Sequence, residues 1–528
     1  MRAGILDILV DAPVRSPLAR LYSTYFRRQF MGVMPQTVAV WCRQLGHEVF
    51  YATYYGTEDP RSILPDDLDV VFMATYTQAC TLAYALAKLY RKDGALTVIG
   101  GPHARAFPQD CLRFFDLVVK DCDKSLIDDI LRRRIDPGQT ITSGRPLTQF
   151  PTIEERMPEI KKAAFVNGQQ ILMSIVPTLS SIGCPYRCDF CVDWNTDFVA
   201  LPEAQLEADM RFLADNFPKL LVAFHDPNFA VRFDETMDVL ARIPEGKRPG
   251  YIMESSLSIL KPKRLARLRE TNCVYVAPGI ESWVGYGAKA GVGAKSGHEK
   301  LDQVVEHFLE LGDYVAGMQA NFLFGGDEDA GATPAELTKA FIERTPRVWP
   351  TINIPTPFGA TPLRDQYARE GRILTTLPFA FYYNPYLAIR LKHYDPVTYY
   401  DHLIDIHKTL ASARMWRRRL TARSGPAIRF VHSLRTFAAH TELAALRRIR
   451  TMLVTDRQFR AFHENETTTL PPFYRHELRD RLGRYADLLS LDEITPIAEH
   501  DTGSSRARAF PGSSSERAFV QVDAAAVP

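Results

Sequence analysis

The sequence has few cysteines, no long apolar run and almost no net charge. Eight cysteines in 528 residues are too few for a disulfide framework, which favours a reducing compartment where thiols stay free. The apolar runs are short and flanked by charge, so no segment resembles a membrane-spanning helix. The formal net charge of +2 by itself neither favours nor opposes a nucleic-acid partner. Because Asp7 interrupts the first apolar run, we expect no secretory signal and predict a cytoplasmic protein.

Motifs of hydrolases and nucleotide-binding loops are also missing. The sequence contains neither a G-x-S-x-G nucleophile elbow nor a G-x-x-x-x-G-K-[ST] phosphate loop. It has no internal repeat of fixed period. Hydrophobic content of 46% and charged content of 24% are ordinary for a globular protein. A globular fold is therefore expected, and its function must lie in other residues.

Residues 1–135 alternate between strand-like and helix-like runs. This alternation indicates a parallel sheet with helices on both faces. We predict a doubly wound, Rossmann-like α/β domain whose ligand lies beyond the carboxyl ends of the strands. Residues 136–170 are rich in proline and glycine and are predicted to form a linker with little regular structure. The predicted strands are Ile5–Val10, His47–Ala52, Asp69–Thr75, Leu96–Ile99 and Phe115–Val119.

A second alternating series, over residues 171–365, predicts a partial (β/α)6 barrel with its catalytic residues at the carboxyl ends of the strands. Residues 366–495 are predicted to form a helical domain, and the small, polar residues 496–528 a disordered tail. The predicted barrel strands are Ile171–Val176, Leu220–Phe224, Tyr251–Glu254, Val274–Ala277, Ala316–Leu323 and Val348–Ile354.

Three cysteines with the spacing C-x3-C-x2-C follow the first strand of this barrel: Cys184, Cys188 and Cys191. Three thiolates on one loop can bind three irons of a [4Fe–4S] cube. The fourth iron is then open and can hold and reduce a small molecule. The alternative is a zinc site, but structural zinc usually has four ligands from paired C-x2-C knuckles or histidines. Cys273 stands alone, and there is no second knuckle.

This loop resembles the C-x3-C-x-φ-C signature of the radical S-adenosylmethionine (SAM) superfamily, with Phe190 in the aromatic position φ. Four later segments resemble the subgroup of this superfamily that carries cobalamin-type domains. They are Asp226-Pro227-Asn228-Phe229, Gly279-Ile280-Glu281-Ser282, the Gly325-Gly326 pair, and the turn Thr356–Leu363.

The resemblance implies that Phe190, Asp226, Glu281, Ser282 and Gly325 contribute to the SAM site beside the cluster. Each of these residues also has a simpler interpretation when it is taken alone. Asp226 could cap the next helix, Glu281 could be a solvated acid, and Gly325 could only form a turn.

The turn Gly100-Gly101-Pro102-His103 resembles the GGPH turn of cobalamin-type domains. Two glycines let the backbone pass close to a corrin or a nucleotide tail, and Thr75 could bond to that tail. His103 could face the corrin, although a lone histidine in a turn is often structural. The sequence lacks the D-x-H-x-x-G motif that supplies an axial histidine to cobalt, and Lys120–Asp123 replaces a GEGE-like turn. Three alternatives remain: cobalamin, no corrin, or another nucleotide.

The resemblance implies a radical SAM enzyme that cleaves SAM at a reduced [4Fe–4S] cluster and makes a 5′-deoxyadenosyl radical. With cobalamin, the implied reaction is methylation of an unactivated carbon. Without cobalamin, it is a rearrangement or a cyclisation. A different class also remains open, a cobalamin- or metal-binding sensor whose cluster is structural.

We expect a small-molecule substrate, an electron donor such as flavodoxin or ferredoxin, and no nucleic acid. The basic runs Arg414–Leu420 and Leu446–Arg450 contain apolar residues. They predict either a weak contact with a membrane surface or a solvated helix face. The aromatic residues crowded between positions 379 and 400 could line a substrate pocket or cap the barrel, or they could pack the C-terminal helices against the barrel.

Overall fold

The computed structural model describes residues 1–13, 17–25, 27–144, 147–171 and 174–497. Almost all of the predicted disordered tail, residues 498–528, lies outside the described residues, as do Leu172 and Met173 of the first predicted barrel strand.

Six parallel strands form the N-terminal sheet, in the order β2-β1-β3-β4-β5-β6. The predicted doubly wound sheet is confirmed. The strand order reverses between β1 and β3, which is where such sheets bind ligands. The strands are β1 (Arg2–Ile8), β2 (Glu48–Tyr54), β3 (Val70–Thr75), β4 (Leu96–Gly100), β5 (Leu117–Asp121) and β6 (Gln139–Thr142). The helices are α1 (Pro17–Tyr25), α2 (Val33–Gln44), α3 (Cys80–Lys92), α4 (Pro102–Ala106), α5 (Pro108–Cys111) and α6 (Lys124–Leu131); α7 (Ile153–Ala164) follows the sheet.

A second parallel sheet forms the predicted partial barrel, with the strand order β7-β10-β11-β12-β14. Both β13 and β15 pair with β14, and the short strands β8 and β9 form a separate antiparallel pair. The strands are β7 (Ile175–Thr178), β8 (Ser181–Ile182), β9 (Val199–Ala200), β10 (Leu221–Phe224), β11 (Tyr251–Met253), β12 (Cys273–Val276), β13 (Gly279–Glu281), β14 (Gly317–Leu323) and β15 (Val348–Asn353). The helices are α8 (Glu203–Asn216), α9 (Phe233–Ala241), α10 (Leu265–Glu270), α11 (Gly297–Leu311) and α12 (Thr333–Arg344).

The prediction that residues 136–170 have little regular structure is wrong. Strand β6 pairs with β5 at the edge of the first sheet, and this long-range pairing has no local sequence signal. Helix α7 begins with a capping box, in which Thr152 and Glu155 each accept a hydrogen bond from the other's backbone N–H. The prolines and glycines of the segment obscured both elements.

Helix α7 connects the two sheets through Arg156, whose side chain is fully buried. One guanidinium nitrogen donates to Gln36 Oε1 in α2 at 2.9 Å and to the Pro177 carbonyl in β7 at 3.0 Å. Its Nε donates to the carbonyl of Pro151 at 3.2 Å. This single side chain therefore fixes the N-terminal sheet against the first strand of the barrel.

The C-terminal helices pack against the N-terminal sheet as well as the barrel. The ring centroid of Phe379 lies 5.3 Å from that of His103 and 4.0 Å from that of Phe107, and Arg481 forms an ion pair with Asp11 at 3.2 Å. Among the described residues, no helix has both the length and the apolar character to cross a membrane. The C-terminal helices are α13 (Pro362–Arg369), α14 (Pro396–Leu410), α15 (Ala413–Leu420), α16 (Pro426–Thr455), α17 (Arg457–His463), α18 (Pro472–Leu482) and α19 (Leu491–Ile494).

Candidate functional site

The cysteine loop lies between β8 and β9, which hold its two ends together. Gly183, just before Cys184, has a φ of +71°. A Cβ atom at Gly183 would overlap the Asp197 carbonyl oxygen and lie 2.6 Å from the carbonyl oxygen of Thr196. The backbone N–H of Cys184 donates to that Thr196 oxygen at 3.3 Å. Only glycine therefore allows the two ends of the loop to approach this closely.

The three thiols of the loop are half-buried and influence one another. Burial raises the pKa of Cys188 to about 11, nearby Lys289 lowers it, and the charges of Cys191 and Cys184 raise it further. The backbone N–H of Asp193 donates to Cys191 Sγ at 3.4 Å. Thiols in such a setting need a metal to become thiolates at neutral pH, because metal binding displaces the thiol protons.

The surroundings of the thiols are compatible with a [4Fe–4S] cluster. In the described part of the chain, no set of three or more His, Cys, Asp or Glu side chains is grouped to hold one metal ion. A [4Fe–4S] cube does not need such a group, because each thiolate binds a different iron. The buried Asn228 Nδ2 has no hydrogen-bond partner in the described structure, and Asn228 lowers the pKa of Cys184, so this donor lies beside that thiol.

Asp226 anchors the entry to the cysteine loop. Its buried carboxylate accepts hydrogen bonds from the Ser180 backbone N–H at 3.0 Å, from Ser180 Oγ at 2.7 Å and from Ser181 Oγ at 2.6 Å. Helix α9 is capped instead by Arg232, without a side-chain bond. The structure thus places Asp226 neither as a helix cap nor free to contact SAM. Its position is that of a residue supporting the loop.

The far side of the loop is held by contacts from three other segments. The Asp189 carboxylate accepts from Tyr286 Oη at 2.7 Å, and the Asp189 carbonyl accepts from the Leu363 N–H at 3.0 Å. Arg105, from the N-terminal domain, forms an ion pair with Asp193 at 2.9 Å. The loop is therefore fixed by both domains, as a preorganised site requires.

Phe190 and Glu281 meet through Lys289. The Lys289 ammonium lies 2.6 Å from Glu281 Oε1 and 5.8 Å from the centroid of the Phe190 ring. Glu281 has a φ of +63°. A Cβ atom at Gly279 would overlap the Glu281 carboxylate and lie 2.9 Å from Lys289 Nζ. The glycine and glutamate of this segment are thus required together, and a lysine missed in the sequence joins them to the cysteine loop.

Ser282 and Gly325 meet at a second residue that the sequence did not reveal, Asp329. Ser282 Oγ donates to Asp329 Oδ1 at 3.3 Å, and the N–H of Gly325 donates to Asp329 Oδ2 at 2.9 Å. Asp329 is buried, and burial raises its pKa. The only sequence signal was its position, three residues after the glycine pair.

Lys300 in α11 holds the segment that contains Glu281. Its Nζ donates to the carbonyl oxygens of Ile280 at 3.2 Å, Ser282 at 2.5 Å and Gly285 at 2.7 Å. The side chain is fully buried, and burial lowers its pKa to about 8. A single lysine on the apolar face of a helix gives no sequence signal for this role.

In the N-terminal domain, Gly101 comes close to Thr75, whereas His103 lies in the interior. A Cβ atom at Gly101 would lie 3.5 Å from the Thr75 nitrogen, and the glycine has a φ of +87°. Thr75 Oγ1 donates to the Tyr76 carbonyl at 3.0 Å. Gly100, the last residue of β4, lies partly exposed at the carboxyl end of the sheet.

The His103 side chain is fully buried and bonds to Tyr84 Oη at 2.6 Å, and burial lowers its pKa to about 3. This packing does not support the predicted contact of His103 with a cofactor. It agrees with the structural alternative for a histidine in a turn.

Tyr76 and Glu254 lie near each other, each just after a strand of a different sheet. Tyr76, after β3, is 38% exposed, yet burial and the charges of Asp7 and Glu254 raise its pKa to about 12. Glu254, after β11, is also exposed, yet burial raises its pKa, while Lys289 lowers it. The charge of Glu254 acts on Tyr76, and the charges of Lys289 and Glu281 act on Glu254. Glu254 therefore lies between the end of β3 and the segment that contains Glu281 and Lys289.

No protein-family model matches the chain. The chain is similar to bacteriochlorophyllide d C-8(2)-methyltransferase of Chlorobaculum tepidum, with 25% identity over 349 residues that cover 63% of this chain and 75% of the relative. It is also similar to hopanoid C-2 methylase of Rhodopseudomonas palustris, with 26% identity over 293 residues, 52% of this chain and 53% of the relative.

A solved structure of the cobalamin-dependent SAM radical enzyme OxsB with aqua-cobalamin bound shares the fold. The TM-score is 0.54 at 12% identity, and the match covers 94% of this chain and 82% of that one. The chain therefore shares the fold of a solved cobalamin-dependent SAM radical enzyme and is similar in sequence to two methylating enzymes.

Proposed function

We propose that the protein is a cobalamin-dependent radical SAM methyltransferase that methylates an unactivated carbon of a small molecule. When bound, a [4Fe–4S] cluster supplies the electron that cleaves SAM to a 5′-deoxyadenosyl radical, and cobalamin supplies the methyl-group carrier. The two relatives described above are named as methylating enzymes.

The observation that carries the proposal is the proximity of the carboxyl ends of the two sheets at Tyr76 and Glu254. Tyr76 follows β3 beside the Gly100-Gly101 turn, and Glu254 follows β11 beside Lys289 and Glu281. A methyl carrier held by the first sheet and a radical source held by the second would therefore reach the same substrate. A barrel that acted without a carrier would not need this arrangement.

Each group of residues has a separate task in this proposal. Cys184, Cys188 and Cys191 hold the cluster. The segment Gly279–Ser282, fixed by Lys300 and Asp329, orients SAM beside it. This leaves the exposed faces of Tyr76 and Glu254 to position the substrate and to limit the entry of water.

The N-terminal domain has a glycine turn and a threonine that would hold cobalamin. Gly100, Gly101 and Thr75 would accept the corrin or its tail, because a backbone without side chains allows close approach. His103 bonds to Tyr84 inside the domain. A cofactor bound here would therefore be held by contacts to its edges and faces.

The SAM-cleavage part of the proposal is tested with anaerobically reconstituted protein, SAM and dithionite. We expect 5′-deoxyadenosine from the wild type and none from Cys188→Ala. Cys273→Ala is the matched control, because Cys273 is buried in β12 away from the loop, and it should keep the activity. No 5′-deoxyadenosine from wild-type protein with a full iron content would favour the sensor with a structural cluster.

The cobalamin part is tested by titrating hydroxocobalamin and recording visible spectra, with S-adenosylhomocysteine as the second readout. We expect one cobalamin per chain and a cobalamin-dependent release of S-adenosylhomocysteine from SAM. Gly101→Val, which adds a branched side chain where φ is +87°, should weaken cobalamin binding and leave the cluster intact. SAM cleavage without any cobalamin binding would favour the rearrangement or cyclisation alternative.

The electron donor and the cellular location are also proposals. We propose flavodoxin or ferredoxin as the electron donor and the cytoplasm as the location. To test the donor, purified reduced flavodoxin is added to the protein, and the loss of the cluster's visible absorbance is recorded.

A further inference from the structure

Helix α16 carries an exposed apolar stripe that the proposed function does not use. Phe430 is 61% exposed, Leu434 40% and Phe437 58%. The spacing i, i+4, i+7 places the three side chains on one face of the helix. The opposite face, with Thr436, Ala439 and Leu443, is buried.

Helix α15 extends this stripe into a patch. The ring of Trp416 lies 5.9 Å from that of Phe437. Leu420 is 36% exposed, and its carbonyl accepts a hydrogen bond from Arg429 in α16 at 3.3 Å. We call Trp416, Leu420, Phe430, Leu434 and Phe437 the α15–α16 patch.

The segment of sequence that contains this patch has basic residues and no acidic ones. Residues 406–441 contain no aspartate or glutamate, but one lysine and seven arginines. Some of these arginines have partners within the protein: Arg419 and Arg435 donate to Thr436 and Tyr275, and Arg414 pairs with Glu343. Within residues 174–497, Arg417, Arg423 and Arg429 form no ion pair, and Arg417 and Arg423 are exposed.

The patch lies far from the cysteine loop. The Ile428 side chain in the first turn of α16 borders Gly317, the first residue of β14. Strand β14 then runs seven residues, about 20 Å, toward the Gly325 end of the site. The patch therefore lies at the end of the barrel that is away from the cysteine loop.

We propose that the α15–α16 patch binds the surface of a membrane that contains anionic lipids. Aromatic and aliphatic side chains enter the boundary between headgroups and acyl chains, while flanking arginines attract anionic headgroups. The patch supplies both components side by side, and an acidic protein or a nucleic acid would not require the exposed phenylalanines. This surface is separate from the catalytic site, so its test does not depend on the proposed reaction.

The experiment is co-sedimentation of the full-length protein with phosphatidylcholine vesicles, with and without phosphatidylglycerol, at low and high ionic strength. We expect binding only to the anionic vesicles, weakened by salt. Each arginine near an anionic surface contributes about fivefold to the partition coefficient. Arg417→Glu with Arg423→Glu should therefore reduce binding by at least ~25-fold, and Phe430→Ser with Phe437→Ser by at least ~10-fold.

The matched control is Val454→Ser with Arg457→Glu, which changes an exposed valine (54%) at the far end of α16 and an exposed arginine at the start of α17. It should bind vesicles like the wild type. The proposal is overturned if anionic vesicles do not bind the protein, or if the control loses as much binding as the patch variants. It is also overturned if the wild type is a dimer that the phenylalanine variant makes monomeric, because the patch would then bind a second copy.

Discussion

Gly183→Ala should prevent the cysteine loop from holding its cluster while the rest of the protein stays folded. For a residue other than glycine, a backbone φ of +71° costs about 1–2 kcal/mol of conformational free energy. The added Cβ would also overlap the Asp197 carbonyl oxygen and lie 2.6 Å from that of Thr196. These are backbone atoms of the facing end of the loop, so the two ends must separate, which costs a further ~1–3 kcal/mol.

A local cost of ~3 kcal/mol lowers the population of the closed loop about a hundredfold. We therefore expect most of the iron to be lost. The assay is iron and acid-labile sulfide per chain after anaerobic reconstitution, together with a thermal unfolding curve.

Gly168→Ala is the control for this experiment. Gly168 has nearly the same φ, +73°, but a Cβ atom there has nothing within 4 Å. The Gly168→Ala variant has the backbone strain of a positive φ without the overlap of the added Cβ with backbone atoms, so the protein should keep its iron. A Gly183→Ala protein with wild-type iron and sulfide would refute the reasoning, as would an equal loss in Gly168→Ala.

Three further variants test the support of the site. Lys300→Met leaves three carbonyls without a donor, at about 1–3 kcal/mol each, offset by about 3 kcal/mol because no charge is then buried. We therefore expect a net loss of up to about 6 kcal/mol of unfolding free energy in urea. The folded-state pKa of Lys300, about 8, lies below its ordinary 10.5, so the folded state binds fewer protons between these values. Wild-type stability should thus rise relative to the variant from pH 8 to 10.5, and parallel pH profiles would contradict this. Asp226→Asn replaces an acceptor of the Ser180 N–H with a donor and should cost about 1–3 kcal/mol and part of the iron; unchanged iron retention would count against its anchoring role. Arg105→Met should cost under ~1 kcal/mol but speed the removal of iron by a chelator, and an unchanged rate would show that its ion pair with Asp193 does not hold the loop.

The sequence predicted those parts of the fold that have local signals. The apolar strands of both sheets and the C-x3-C-x2-C loop are contiguous patterns, and the structure has both sheets and places the loop after β7. Strand β6 was missed because its pairing with β5 is long-range, and α7 because proline and glycine masked a capping box.

The candidate site was predicted only as separate segments. Glu281, Ser282 and Gly325 were identified by resemblance, but the residues that join them were not. Lys289 and Asp329 act through contacts with side chains or backbone from other segments, and no local pattern indicates such partners. His103 shows the reverse case, because a recognisable turn placed it at a cofactor site while tertiary packing buried it under Phe379.

The buried guanidinium of Arg156 makes the two α/β units difficult to exchange between proteins. Its partners, Gln36 and Pro177, belong to different units, and a cut between residues 135 and 171 would leave polar groups of both without their bonds. A chimera that takes its first unit from another protein should therefore include α7 and a compatible β7. New substrate specificities would then evolve by changes in the loops at the carboxyl ends of the strands, while the junction between the units is inherited whole.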